Sequence, residues 1–313
     1  LGTHTAREAG WNVVTGSPYI IGIMGDEESA NVSVVKEPAG QFGGKWTLDK
    51  AEDVVKYAKA YLNIMKAYRF KTIYFDGFAG SGEVVMRDGK NAMESVALQV
   101  MAIDEPGPFD MYYLVELDPK RADRLRTVCA TKHPTKKVHV VSEDCNVKLK
   151  DFAAFMKKHK GHRALAFLDP YGMQVSHEVM KVFKGVGVDM WILFPSAIGI
   201  GRMLQRDIRK VPARHWELMT NTLGMTREEI EKAFYAEHGK DLFGEPITKK
   251  LGGPTARVLD VYRTKLQDIW KHVSDAHELK NSIGMPMFHF ILASQNPNAK
   301  KIAEDIIKRT KHG

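Results

Sequence analysis

Between residues 72 and 194 the chain alternates short, nearly all-apolar runs with longer segments whose apolar positions recur every three or four residues. The short runs fall at 72–76, 111–116, 138–141, 164–169 and 189–194. Runs of this length, rich in Val, Ile, Tyr and Phe and without polar alternation, are the pattern of strands buried on both faces. The intervening spacing predicts helices over 93–103, 121–131, 147–158 and 177–183. Strand–helix alternation of this kind predicts an α/β fold with a doubly wound, mostly parallel sheet.

The flanks read differently. Thr47 is placed to cap a helix over about 48–67, with Val54, Val55, Ala58, Tyr61, Leu62 and Met65 on one face. Before it, residues 1–44 are punctuated by eight glycines and two prolines, with an edge strand expected at 19–24. After the fifth strand the β pattern stops. Helices are expected at 202–210, 214–221, 227–238 and 256–271, with a joint at Gly252-Gly253-Pro254. A strand then returns at 287–293 and a helix at 298–308. The expected organisation is an N-terminal segment (1–44), a core (45–200 plus 283–313) and a helical insertion or cap (201–282).

Composition narrows the class. The 313 residues carry a net charge of +8, with 44% hydrophobic and 27% charged positions, which is ordinary for a globular protein. Two cysteines, Cys129 and Cys145, exclude a Cys-rich zinc module or iron–sulfur cluster built from this chain alone. No metal spacing stands out among the histidines. The longest apolar run, 188–200, is too short and too interrupted to span a bilayer. With no leader-like pattern and so few cysteines, a cytoplasmic protein is expected, without membrane association. Residues 120–160 hold twelve basic and four acidic side chains, an excess equal to the whole net charge. Such a stripe can attract a phosphate backbone, and its plainer reading is solvated helix surface.

The sharpest motif closes the first strand: Asp76-Gly77-Phe78-Ala79-Gly80-Ser81-Gly82. Glycines there permit a tight turn and close approach of a ligand to the backbone. A phosphate-binding P-loop needs Lys and Ser/Thr after its last glycine, whereas Glu83-Val84 follows Gly82. The dinucleotide fingerprint lacks its last small residue, and Glu116, the acid at the next strand end, comes 34 residues after Gly82 instead of about 20. S-adenosylmethionine fits better. It carries no phosphate, and its amino group and sulfonium are cationic, which makes Asp76 an asset. Glu116, ending the second strand, can accept bonds from ribose hydroxyls. Asp144, after the third, can meet the adenine amine beside Cys145. The competing reading is a tight strand–helix turn with ordinary surface acids.

The fourth strand ends Asp169-Pro170-Tyr171-Gly172. This resembles the Asp/Asn-Pro-Pro-Tyr/Phe signature of amino-methyltransferases, with the second proline missing. In that signature the acid or amide accepts bonds from an exocyclic amine and the aromatic ring stacks on an extruded base. Asp169 and Tyr171 are thus the catalytic candidates, with Pro170 and Gly172 shaping the substrate side. The alternative is plain turn chemistry at an Asp-Pro step. Cytosine-C5 chemistry is excluded, because neither cysteine follows a proline.

Taken together, these motifs resemble the three-Cys-motif partner family. The matching pieces are Phe42-Gly43-Gly44-Lys45-Trp46-Thr47 with Lys50, the Tyr74–Gly82 loop, Val115-Glu116-Leu117-Asp118, Phe167–Gly172, Leu193-Phe194-Pro195 and Phe290-Ile291-Leu292-Ala293-Ser294. The resemblance runs from about residue 42 to the C-terminus. It implies a Rossmann-like methyltransferase core, S-adenosylmethionine as cofactor, and a separate three-Cys-motif protein as partner. It carries Asp76, Gly80 and Gly82 onto the cofactor loop, Glu116 onto the ribose acid, and Asp169 and Tyr171 onto the fourth-strand motif. Such cores have seven strands ending in a hairpin, whereas six stand out here. Either the missing strand lies in 272–286 or the sheet is shorter.

Trp46 reads either as a lid over the cofactor or as a core residue. Arg202, Arg206 and Arg209 would share one face of the predicted 202–210 helix, where Arg202 is the candidate for an anionic substrate. The function expected is methyl transfer to nucleic acid. Two alternatives stand beside it: a non-catalytic binding protein that works with its partner, and a metal-dependent nuclease using Asp76, Glu83, Glu116 and Asp169.

Overall fold

The computed structural model describes residues 45–85, 92–170, 172–240, 246–281 and 283–312. The expected strand at 19–24, the Phe42-Gly43-Gly44 piece and Tyr171 lie outside them.

Helix α1 (Lys45–Met65) leads into β1 (Lys71–Asp76), the centre of the sheet. A short hairpin, β2 (Glu83–Val85) and β3 (Ala92–Glu94), precedes α2 (Val96–Met101). Three further strand–helix units follow: β4 (Met111–Glu116) with α3 (Pro119–Lys132), β5 (Val138–Ser142) with α4 (Cys145–Lys158), and β6 (His162–Leu168) with α5 (His177–Lys181). Strand β7 (Val188–Phe194) ends in a π-helical turn, Ser196–Ile200, that runs into α6 (Gly201–Met203).

Beyond α6 come α7 (Ala213–Leu223), α8 (Arg227–Phe234), a hairpin of β8 (Tyr235–Lys240) and β9 (Pro246–Lys250), and α9 (Pro254–Gln267). The chain then returns to the sheet through β10 (His272–Val273), β11 (His277–Lys280) and β12 (Pro286–Ser294), and closes with α10 (Pro297–His312).

The sheet order is β10-β12-β7-β6-β1-β4-β5, with β11 also on β12. Strands β5, β4, β1, β6 and β7 are parallel, and β12 runs antiparallel to β7. This is a doubly wound, Rossmann-like sheet with an antiparallel strand near one edge. The strand sought in 272–286 is there, split into β10 and β11. The sheet therefore takes residues from inside the segment expected to form the insertion.

Apolar strands of this type need cover on both faces, and they have it. Tyr74 faces one side against Phe109, with ring centroids 5.7 Å apart; Phe75 faces the other and stacks on Phe152 of α4 at 4.6 Å. The first layer holds α1, α2, α3 and α10; the second holds α4, α5, the insertion helices and α9. A buried polar clamp ties the first layer together. Asp53 of α1 accepts from Thr310 of α10 at 2.7 Å and meets His277 Nδ1 of β11 at 2.7 Å.

Several local expectations are corrected. Thr47 lies inside α1, buried, so it does not cap the helix. Trp46 packs on Phe288 at 5.1 Å, a core position that removes it as a lid. The helix expected over 93–103 gives its start to β3, because Glu94 and Met93 pair with Glu83 and Val84, and Ser95 caps the shortened α2. The helix expected over 202–210 stops at Met203. Lys250 donates its backbone N–H to Arg206 O and its ammonium to Leu204 O, which diverts that backbone into pairing with β9. The helix expected over 227–238 ends at Phe234, where Leu251 N bonds Phe234 O and the β8–β9 hairpin begins. Between α6 and α9 the chain thus holds a β-hairpin as well as helices.

Candidate functional site

Parallel strands deliver their C-terminal residues to one edge, and the candidate residues converge there. Asp76 is the last residue of β1 and is 2% exposed. Its carboxylate accepts from Phe78 N at 3.0 Å and from the Tyr74 hydroxyl at 3.4 Å. Burial pushes its pKa up to about 7, and the charge of Asp169 adds to the rise. The Phe78 N–H, the Tyr74 hydroxyl and Lys50 pull against it.

The loop after Asp76 has little room for side chains. A Cβ on Gly77 would lie 2.6 Å from Leu168 Cδ2 and 2.7 Å from Cys145 Sγ. Cys145 is buried, and burial raises its thiol pKa, so it acts as packing beneath the loop. Ala79 N bonds Val115 O at 2.9 Å, and Gly77 N bonds Phe167 O at 3.0 Å, which anchors the loop to strands on both sides. Gly80 and Gly82 have φ of +67° and +92°, a region L-residues avoid. Phe78 is partly exposed and packs on the second-layer core.

Glu116 ends β4 and is 6% exposed. It accepts from Asp118 N at 3.0 Å, and Arg121 Nη2 lies 3.5 Å from its other oxygen. That same nitrogen lies 3.5 Å from the position of a Gly80 Cβ, so Arg121 bridges loop and acid. Leu117, next to Glu116, is 62% exposed, an uncovered apolar side chain beside the acid. Asp144 caps α4, its Oδ1 accepting from Asn146 N at 2.8 Å and Val147 N at 3.3 Å. Its first duty is therefore helix capping, which a short acid before a helix does well. The Asn146 amide spans to the loop after β6, donating to Gln174 O at 2.8 Å and accepting from Ser176 N at 3.1 Å.

Asp169 follows β6, and β6 pairs with β1 so that Asp76 stands opposite Phe167. The Asp169 carboxylate is bound by the ammonium of Lys50, a residue of α1 that is 5% exposed. Pro170 is buried, and Gly172 has φ of +86° with open space around it. Arg202 is exposed on α6, and the ion pair of Asp169 is with Lys50. Arg209 pairs with Asp207 at 3.1 Å, and the three arginines do not share a helical face.

Motif and spacing give Lys50 and Leu117 no role beyond their place in the resemblance, and Arg121 none beyond the basic stretch. For Lys50 a signal existed: it precedes Val54 and Ala58 by four and eight residues, a lysine on the apolar stripe of α1.

The basic 120–160 stretch divides. Its α3 residues cover the first layer and its α4 residues the second, on opposite sides of the sheet. Several are already paired: Arg124 with Glu83 at 2.6 Å, Lys132 with Glu94 at 2.7 Å, Lys136 with Asp104 at 3.0 Å and Lys148 with Asp151 at 2.9 Å. Glu83 is thereby committed. Among the described residues no group of three or more His, Cys, Asp or Glu is placed to hold a metal ion. No described helix is long and apolar enough to cross a membrane.

The donor set suits one kind of ligand. Asp76 can hold a cationic amine, Glu116 can accept from vicinal hydroxyls, Leu117 can cover a flat apolar ring, and the glycine turn admits close approach. A phosphate would face Asp76 and Glu116.

No protein-family model and no curated protein matches the chain. Among solved structures, it is similar to Trm1 of Pyrococcus horikoshii in complex with S-adenosyl-L-methionine, at 10% identity and a TM-score of 0.44. That match covers 85% of this chain and 60% of Trm1, so the chain spans about three fifths of Trm1's length. It is also similar to the putative methyltransferase YhhF of Escherichia coli, at 14% identity, covering 62% of this chain and 85% of YhhF with a TM-score of 0.29. A putative S-adenosylmethionine-dependent methyltransferase of Listeria monocytogenes matches at 12% identity over 77% of this chain and 98% of its own, with a TM-score of 0.35. The strand order and register, independent of these likenesses, define the fold.

Proposed function

We propose that this chain is an S-adenosylmethionine-dependent methyltransferase acting on a nitrogen of nucleic acid. The observation that carries the reading is the placement of Asp76 and Glu116, two buried carboxylates at neighbouring strand ends, around the Gly77–Gly82 turn. Bound there, S-adenosylmethionine supplies an electrophilic methyl group. Asp76 holds the ligand's amine, Glu116 its hydroxyls and Leu117 its adenine face. Asp144 and Cys145 shape the far wall. Asp169 orients the acceptor by accepting an N–H, and Pro170 and Gly172 set the turn that presents it. Positioning of this kind supplies much of the rate in a direct transfer. The nucleic-acid acceptor is supported by the resemblance of Asp169-Pro170 to the amino-methyltransferase signature and by Lys120 and Arg121 at the rim. The three-Cys-motif partner rests on the family resemblance, and co-purification from a co-expressing host tests it.

The deciding test is calorimetric titration with S-adenosylmethionine, repeated on Gly80→Arg with folding checked by melting. Binding by the parent protein and loss in the folded variant supports the reading. No binding to the folded parent protein overturns it.

A further inference from the structure

A buried lysine is costly unless its charge is matched, so its position needs a reason. Lys50 is 5% exposed, and α1 carries it to the carboxyl edge of the sheet. Its ammonium binds Asp169 Oδ2 and lies 5.2 Å from the Trp46 ring and 5.9 Å from the Phe167 ring. The aromatic faces stabilise the cation from the sides that water cannot reach. Its charge also acts on Asp76. One cation thus stands among two carboxylates at the ends of adjacent strands. Among the described residues Lys50 is the hydrogen-bond partner of Asp169, and Oδ1 is left for another donor.

We propose that Lys50 is a positioning residue that acts through Asp169, holding it by Oδ2 and balancing the charge that the two carboxylates place on the reacting end of the site. The inference rests on the methyltransferase reading. In the transfer, the lone pair of the acceptor nitrogen forms the new N–C bond and the S–C pair stays on sulfur. The proton lost by nitrogen passes to Asp169 and on to water. The sulfonium charge disappears as the reaction proceeds. Two unbalanced carboxylates would hold the cationic ground state too well, and stabilisation of the ground state alone does not accelerate the step. Lys50 offsets one of them. The acceptor that matches a lysine-bound carboxylate is a neutral N–H donor, not an ammonium.

The test compares affinities for S-adenosylmethionine, which is cationic at sulfur, and S-adenosylhomocysteine, which is not. Lys50→Met removes the fixed cation, and the ratio of affinities should move toward S-adenosylmethionine by about tenfold. Lys50→Arg should return the ratio to within about twofold of the parent protein, since the charge is kept. Asp169→Asn should move it the other way. Should Lys50→Met fail to fold, the Lys50→Arg and Asp169→Asn ratios decide. A purely structural lysine would weaken both ligands together, and an unchanged ratio in folded Lys50→Met and Asp169→Asn overturns the proposal. If the parent protein binds neither ligand, the methyltransferase reading falls and this role falls with it.

Discussion

Asp76 and Asp169 stand at the ends of adjacent parallel strands, and the charge of Asp169 acts on the buried Asp76 carboxyl. Burial does most of the work in lifting Asp76 to about 7, and Asp169 adds to it. A cationic ligand on Asp76 needs the ionised form. S-adenosylmethionine binding should therefore tighten as pH rises from 6 to 8, approaching tenfold per pH step below 7. Asp76→Asn should bind more weakly with a flat profile. Calorimetry across that range checks both.

The same shift has a consequence for stability. The folded state holds the Asp76 proton up to about pH 7, whereas an unfolded Asp loses it near 3.8. Between those values the folded state binds more protons, so this residue's contribution to stability falls as pH rises. The full effect is on the order of 4 kcal/mol. Urea denaturation of the parent protein and Asp76→Asn at pH 5 and 7.5 should show a smaller pH dependence in the variant.

Asp169→Ala should weaken S-adenosylmethionine binding by no more than about tenfold and reduce methyl transfer by about 100-fold or more, because orientation is lost while the cofactor loop remains. Transfer of labelled methyl groups to total RNA and DNA measures it. Unchanged transfer would remove Asp169 from the chemistry.

Gly77→Ala tests the loop by packing alone. Its Cβ would press on Leu168 at 2.6 Å and Cys145 at 2.7 Å, and both are core side chains. A loss of about 1–3 kcal/mol in denaturant stability is expected. A neutral result would mean that the turn is looser than its geometry.

The cations of the basic stretch should not act alike. Lys120 lies at the start of α3, on the edge that carries the site, while Lys157 and Lys158 end α4 at the opposite edge. Lys120→Glu should weaken nucleic-acid binding and reduce its salt slope by about one. Lys157→Glu and Lys158→Glu should have little effect. Equal losses from both edges would point to non-specific attraction.

The alternation of apolar strands with amphipathic helices determined much of this fold from sequence alone. Strand β4 begins and ends at the predicted residues, and β1, β5, β6, β7 and β12 differ by one or two. Burial on both faces leaves a local composition that can be read without contacts. Asp76, Gly77, Gly80 and Glu116 were legible for a similar reason, since each closes or follows such a strand. The edge strands were legible only as a strand missing from the count, because β10 has two residues, β11 carries charge, and both exist by pairing with β12. The β8–β9 hairpin escaped notice likewise: its outward positions are polar, and its backbone is held by Phe234 and Arg206. Most dependent on tertiary structure is the Lys50–Asp169 pair, whose members lie 119 residues apart. The stripe of α1 places Lys50 inward, but only the packing of α1 across the sheet decides which carboxylate it meets.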